Sequence, residues 1–345
     1  MKNITIHKNT LFTILLLFAL SFLNISRNLD NDLSNYIEIF NFFQNHFFLE
    51  IFGNSDFLFT VKPSEPVFYF TTFLFSKLFF GKAYLYVGAI TLSFYLNFIF
   101  GIFKLLRKFE VPKKNNFSYI CILIFACINF SETSHLLRQY FAASFLPLLI
   151  FYLLNKNITK AILLSIFIVL THNSLLIIIF LLFLSKFYQT YNSINQLLTK
   201  ISTIVIFLFF LYYSLNYLNA LSYFDEASDI KYVSIYYDFL ILTLYFAFTF
   251  TLKKKLPTWN IFFSSFTIFF LIFLFNLTFS ETVFLRFYLN IEWFRFFYFM
   301  IIIFSFNILN ISKFYKIFFY SLILIVFILR LVVSPWHYFT FDLFL

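Results

Sequence analysis

Apolar residues run in long blocks along this 345-residue chain, at approximately 10–26, 67–80, 84–106, 117–131, 138–154, 161–185, 201–219, 237–252, 260–279, 293–310 and 317–333. The blocks are continuous rather than alternating, and polar residues are confined to the joints between them. A helix crossing hydrocarbon needs about 20 residues at about 1.5 Å each. The pattern predicts an all-α fold, a polytopic transmembrane helical bundle with residues 1–345 forming a single integral membrane domain.

Two blocks need a decision. The block 67–80, between Pro66 and Gly81, is too short for a full span and reads as a short or re-entrant helix. The block 161–185 is interrupted by Thr171-His172-Asn173-Ser174, and is either one crossing or a hairpin of two short helices with His172 at its tip. Charge separates the two threadings. If 67–80 does not cross and 161–185 is a hairpin, then Lys104, Arg107, Lys108, Lys113, Lys114, Lys156, Lys160, Lys186, Lys200, Lys253, Lys254, Lys255, Lys313 and Lys316 all face the cytoplasm. If both are single crossings, the 104–114 cluster and the 156–160 pair face outward. The positive-inside rule selects the first threading: about eleven spans, N-terminus inside, C-terminus outside. The apolar run from Leu11 to Leu23 follows Lys2, His7 and Lys8 but has no small-x-small cleavage site after it, so it is expected to remain as the first span.

Composition agrees. Of all residues, 62% are hydrophobic and 12% charged, against about 25% charged in soluble domains. The 63 Phe residues could stack on sugars or bases. Background bias toward Phe, Ile, Asn and Lys explains them more simply, because lipid-facing positions accept any large apolar side chain. The net charge of +10 reflects lysines that retain loops, and no basic stripe with interleaved aromatics points to nucleic acid. Cys121 and Cys127 share one apolar stretch and form no readable disulfide or metal pattern.

Under the selected threading, most lysines are inner while Arg27, Arg138, Arg286, Arg295 and Arg330 fall at or near the outer side. Lysine suffices to hold a loop inside, whereas a guanidinium fork binds phosphate oxygens through two hydrogen bonds. Outer arginines therefore ask either for an anionic ligand or for nearby carboxylates. The outer segment 28–66 carries Asp30, Asp32, Glu38, Glu50, Asp56 and Glu65, and its apolar stretch Ile39 to Phe52 suits an interfacial helix. Asp30-Asn31-Asp32 could hold a metal beside a phosphate, but two acids in an acidic loop are ordinarily solvated, and no metal site is assigned.

Three further clusters carry chemistry. Glu132, His135 and Arg138 recur every three residues and could share a helix face at the membrane surface; an interfacial Arg can equally snorkel to headgroups. His172, with Ser174 beside it, interrupts 25 nearly apolar residues, and an ionisable group at membrane depth is costly and points to function. The alternative is a neutral His bonded to a backbone carbonyl. Glu281, Arg286, Glu292 and Arg295, with Tyr298 one turn on, could pair among themselves. Gly-rich phosphate loops, His-Glu-x-x-His and Gly-x-Ser-x-Gly are absent from the sequence.

Arg138-Gln139 followed by Ala142, then a Lys-containing loop and His172-x-Ser174-Leu175-Leu176, resembles the EpsG/Wzy-like surface-polysaccharide polymerases. Arg27 with Asp32-x-x-Asn35-Tyr36 is similar to that family's early Arg…Asp-Tyr-x-Asn-Tyr segment. Glu65-Pro66 before a Phe-rich helix, and Arg295 with Tyr298-Phe299, match as well. The chain departs from the pattern at Leu33, where the family often has Tyr, in lacking the Gly and Thr before that Asp, and in lacking an extra N-terminal helix.

The resemblance implies a membrane glycosyltransferase that polymerises undecaprenyl-diphosphate-linked oligosaccharide repeats at the outer face of the bacterial cytoplasmic membrane. It implies no cofactor, and a chain-length regulator and a flippase as partners. In that chemistry Arg138, Arg27, Arg295 and Arg286 would hold the diphosphate, and His172, Asp32 or Glu65 would be the base. Gln139, Ser174, Tyr36, Glu132, His135 and Tyr298 would support them. The rival classes are a flippase of the same lipid-linked sugars, a transferase using a lipid monophosphate sugar, and a membrane acyltransferase acting on surface glycans.

Overall fold

A computed structural model of the protein describes residues 8–26, 31–57, 60–109, 127, 128, 133, 136–188, 202, 233–277, 284 and 287–333. Helices α1 (Lys8–Ile25), α2 (Asn31–Asn45), α3 (Pro66–Leu78), α4 (Ala83–Lys108), α5 (Leu137–Ala143), α6 (Leu146–Leu154) and α7 (Ile158–Thr171) are followed by α8 (Leu175–Tyr188), α9 (Val233–Thr251), α10 (Trp259–Asn276), α11 (Glu292–Ile308) and α12 (Lys313–Val333). No strand occurs among the described residues. The chain forms two compact units, Met1–Leu176 with Tyr320–Leu345, and Ile177–Phe319.

In the first unit, α4 is the central pillar. Tyr86, Ile90, Phe94, Phe98, Ile102 and Leu105 are all buried, and their three- and four-residue spacing lines one helix face. The end of α1 lies beside the beginning of α4. Asn24 Nδ2 donates to Thr91 Oγ1 at 2.8 Å, and Gly88 lets Ile25 approach so closely that an added Cβ would stand 2.7 Å from Ile25 Cδ1. The whole segment between them, α3 included, therefore leaves and re-enters at one end of the bundle. At its far end α3 closes on α2: Lys77 donates to the Gln44 carbonyl at 2.9 Å. Gly81, at φ +79, occupies a left-handed position where any Cβ would strike the Gln44 side chain.

Helices α5 and α6 follow the same direction as α4, since Phe94 meets Tyr140 and Gly101 meets Pro147 and Leu148. They are separated by a turn at Ser144–Phe145, because Pro147 lacks the N–H that a continuous helix would use there. A tight turn with Lys156 at φ 58 then reverses the chain into α7, whose first turn is capped by the Asn157 side chain accepting from Lys160 N–H.

In the second unit, α9 and α11 run parallel with α10 antiparallel between them in sequence. Ring contacts fix the order: Tyr245–Tyr298 at 4.9 Å and Phe248–Phe306 at 5.8 Å join α9 to α11. Phe266–Phe294 at 4.2 Å and Trp259–Phe304 at 6.0 Å join α10 to α11 in reverse order.

Among the described residues, four helical stretches are long and apolar enough to cross a membrane: Ala83–Lys108, Leu137–Leu154, Trp259–Asn276 and Leu289–Ile308. Shorter apolar helices cover Thr13–Ile25, Ile158–Thr171, Leu175–Tyr188 and Ile235–Thr251. The protein is an α-helical membrane protein. The four stretches are fewer than the eleven spans expected, partly because the long apolar blocks are cut: 161–185 becomes two 14-residue helices around His172–Ser174. The runs 117–131 and 201–219 lie essentially outside the described residues.

One expected element is corrected. The interfacial helix placed at Ile39 to Phe52 begins instead at Asn31, ends at Asn45, and gives way to a 3₁₀ turn over Phe48–Gly53. Leu33, Tyr36, Ile37, Phe40 and Phe43 are buried, a helical stripe that starts well before the apolar run. Asp32 in the first turn complements the helix dipole.

Candidate functional site

Three segments far apart in sequence meet at one buried carboxylate. Glu65 stands immediately before α3, where Pro66 starts the helix without needing a backbone donor. Arg138 lies in the first turn of α5. His172 ends α7 with an extended backbone at φ −154 and ψ 107, because the polar triplet His172–Ser174 stops the helix and begins the next.

Glu65 has a fully buried side chain. Its Oε1 lies 3.1 Å from His172 Nδ1 and accepts from the Asn173 backbone N–H at 2.9 Å. Its Oε2 lies 2.9 Å from Arg138 Nη1, an ion-pair contact without hydrogen-bond alignment. Asn173 Nδ2 also donates to Ser64 Oγ at 3.1 Å, fastening the break after α7 to the segment before α3. Burial works to raise the Glu65 pKa, yet the hydrogen bond from His172 and the charge of Arg138 prevail and hold it below the usual carboxylate range. Burial pushes the His172 imidazole below its ordinary value, opposed by Glu65. An ionised carboxylate only accepts hydrogen bonds, so a neutral His172 paired with ionised Glu65 would carry its proton on Nδ1 and leave Nε2 bare. That Nε2 makes no hydrogen bond among the described residues.

Arg138 is anchored by one nitrogen. Its Nη1 donates to Tyr69 Oη at 2.5 Å, and the guanidinium carbon lies 5.9 Å from the Tyr69 ring centre. Tyr69 Oη is itself fixed, accepting from Lys62 N–H at 3.1 Å and facing the Thr60 carbonyl at 3.3 Å. Arg138 Nε is buried and has no hydrogen-bond partner, and Nη2 makes no hydrogen bond among the described residues. The Nε–Nη2 edge, which matches two oxygens of a phosphate or carboxylate, is uncommitted.

Two expected residues stand close by. Asp32 and Tyr36, on α2, both act electrostatically on Arg138, and burial raises the Tyr36 pKa so that its hydroxyl stays neutral. Gln139 follows Arg138 on α5, and Ser174 is half-buried in the break after α7. Arg27, Arg286, Glu132 and His135 lie outside the described residues.

Arg295 belongs to the second unit and has different company. Its Nε and Nη2 pair with both oxygens of Asp238 at 2.5 and 2.6 Å, and its Nη1 lies 3.2 Å from Glu292. Tyr288 donates to Asp238 as well. All four are buried, so the edge expected to receive a diphosphate is filled by a carboxylate. Tyr298 is buried one turn on, its hydroxyl 3.1 Å from Thr267 Oγ1. Asp238 and Tyr69 were not singled out from sequence. Asp238 is an isolated acid at the start of an apolar block, and that oddity was the available signal. Tyr69 is one of 23 tyrosines and gave none.

The described residues contain no cluster of three or more His, Cys, Asp or Glu able to hold a metal. No family model, curated protein or solved structure matches the chain.

Proposed function

We propose that the protein is a membrane glycosyltransferase that polymerises undecaprenyl-diphosphate-linked oligosaccharide repeats. The observation that carries this reading is the pairing, on one buried Glu65, of an arginine with an open bidentate edge and a histidine with a bare Nε2. Transfer of a glycan from a lipid diphosphate needs those two functions. His172 Nε2 takes the proton of the acceptor sugar hydroxyl as its oxygen bonds to the anomeric carbon of the donor. The bond from that carbon to the diphosphate oxygen breaks, and the Arg138 edge receives the charge that develops on the leaving group.

Topology supports the same reading. Residues in contact lie at one depth, so Glu65, Arg138 and His172 must share a side of the bilayer. The threading in which α3 does not cross puts all three outside; the threading with two single crossings puts Glu65 and Arg138 on opposite sides. At the opposite end of the first unit stand Lys104, Arg107 and Lys108 at the close of α4 and Lys156 in the α6–α7 turn. In the second unit, the Trp259–Phe304 contact brings Lys253–Lys255 and Lys313 to one end, with Arg295 at the other. We assign the lysine ends to the cytoplasm, and the chain to eleven crossings of a bacterial cytoplasmic membrane with its N-terminus inside.

Replacing the chromosomal copy with Arg138→Lys tests the assignment, because an ammonium cannot make the two-pronged contact. Cells should accumulate single repeats on outward-facing lipid while the variant remains in the membrane at normal levels. Polymer of normal length from Arg138→Lys would overturn the proposal, as would single repeats trapped on the cytoplasmic side, the signature of a flippase.

A further inference from the structure

We infer that Glu65 is a positioning residue, which fixes the tautomer of His172, balances the charge of Arg138 and takes no proton from substrate itself. The inference deepens the polymerase reading and rests on it for the identity of the proton donor.

Three features of the geometry support it. Glu65 Oε1 is already engaged by His172 Nδ1 and the Asn173 N–H, and Oε2 lies in ion-pair contact with Arg138 Nη1. The carboxylate is also fully buried, whereas a base must reach the hydroxyl it deprotonates. Finally, an acceptor at Nδ1 directs the imidazole lone pair to Nε2, the arrangement by which a carboxylate orients a catalytic histidine in hydrolytic triads. The neighbours of His172 leave Glu65 as the group that can do this. Lys62, from the segment before α3, and Arg138, from α5, are the other charges acting on it, and both are cations without an acceptor.

A glutamine at this position cannot replace the carboxylate. With its carbonyl toward His172, its NH₂ faces Arg138, donor against donor. Turned over, the NH₂ donates to Nδ1 and moves the imidazole proton to Nε2, where it blocks the base.

The experiment is ¹⁵N NMR of detergent-solubilised full-length protein labelled at its five histidines, with the His172 signals assigned by their loss in His172→Gln. At pH 7.5 the wild type should show a protonated Nδ1 and an unprotonated Nε2. Glu65→Gln should lose that preference, and in cells should lower polymer at least about a hundredfold, the lower range of general-base catalysis. Glu65→Asp should retain the tautomer and recover part of the polymer. A wild-type proton on Nε2, or an unchanged tautomer in Glu65→Gln, overturns the inference and leaves the polymerase reading standing. Normal polymer from Arg138→Lys with the expected tautomer sinks the polymerase reading instead. Should Glu65→Gln not fold, the wild-type and Glu65→Asp spectra decide.

Discussion

Asp238 grips Arg295 with both carboxylate oxygens, closing the Nε–Nη2 edge that Arg138 keeps open. The two arginines share a residue type and an expected outer placement, but among the described residues Arg138 Nε has no hydrogen-bond partner while Arg295 Nε has one. Removing one partner of a buried ion pair costs about 3–5 kcal/mol, while exchanging the whole set for apolar groups is far cheaper. Arg295→Met should therefore lower the unfolding temperature in detergent sharply, leaving Asp238 and Glu292 unneutralised. Adding Asp238→Leu and Glu292→Leu should recover most of the loss, and cells carrying that triple variant should still make polymer. A folded triple variant without polymer would return Arg295 to the substrate.

Gly101 and Gly88 both sit at close helix crossings, and their substitutions should differ. A Cβ on Gly101 would stand 2.8 Å from the Leu148 backbone nitrogen and 2.8 Å from Pro147 Cβ, and neither atom can move without shifting α6. On Gly88 it would meet the tip of the Ile25 side chain, which can rotate. Gly101→Ala should cost about 1–3 kcal/mol through overpacking. Gly88→Ala should be close to neutral, helped by the roughly 1 kcal/mol that Ala gains over Gly in a helix. Thermal melts of the two variants in one detergent compare them directly.

The break at His172 was legible because a polar triplet interrupts an apolar block and the loop charges favour a hairpin there, and Arg138 was legible from its place at the mouth of a helix. Their meeting on Glu65 was not, since no periodicity spans the 107 positions separating Glu65 from His172. The onset of α2 was missed because a search for apolar runs passes over Leu33, Tyr36 and Ile37, whose helical spacing shows only when polar residues between them are tolerated. Asp238 escaped for the opposite reason: the block around it was read as uniformly apolar.

Acid should loosen the first unit in two stages. Burial lowers the His172 pKa from its ordinary 6.5, so the folded form resists protonation. The stability this group contributes is complete above about pH 6.5 and declines as pH falls toward the depressed value. Glu65 is lowered from 4.5. Its contribution is complete above that value and is lost as pH falls through the folded-state pKa. Lys62 and Arg138 act on His172 and disfavour charging it, while Asp32, Tyr36 and Tyr69 act on Arg138. Melting temperatures should be level from pH 8 to about pH 6.5, fall gently below it, and fall again in the carboxylate range. His172→Gln should abolish the upper stage and weaken the lower one, because the imidazole is among the groups that hold Glu65 low.

The side of the bilayer on which each turn lies can be read with cysteine labelling, and one turn separates the two threadings. Asn155 sits in the α6–α7 reversal beside Lys156, and Ser55 lies in the polar segment before α3. If α3 spans the membrane, the α6–α7 turn emerges outside, together with Ser55. If α3 stays at the outer end, in keeping with the threading proposed above, the turn faces the cytoplasm. After Cys121 and Cys127 are replaced by serine, an impermeant maleimide applied to intact cells should label Ser55→Cys and spare Asn155→Cys until the membrane is permeabilised. Labelling of Asn155→Cys from outside would separate Arg138 from Glu65 by the thickness of the bilayer. No arrangement of the bundle could then bring guanidinium and imidazole to one lipid diphosphate.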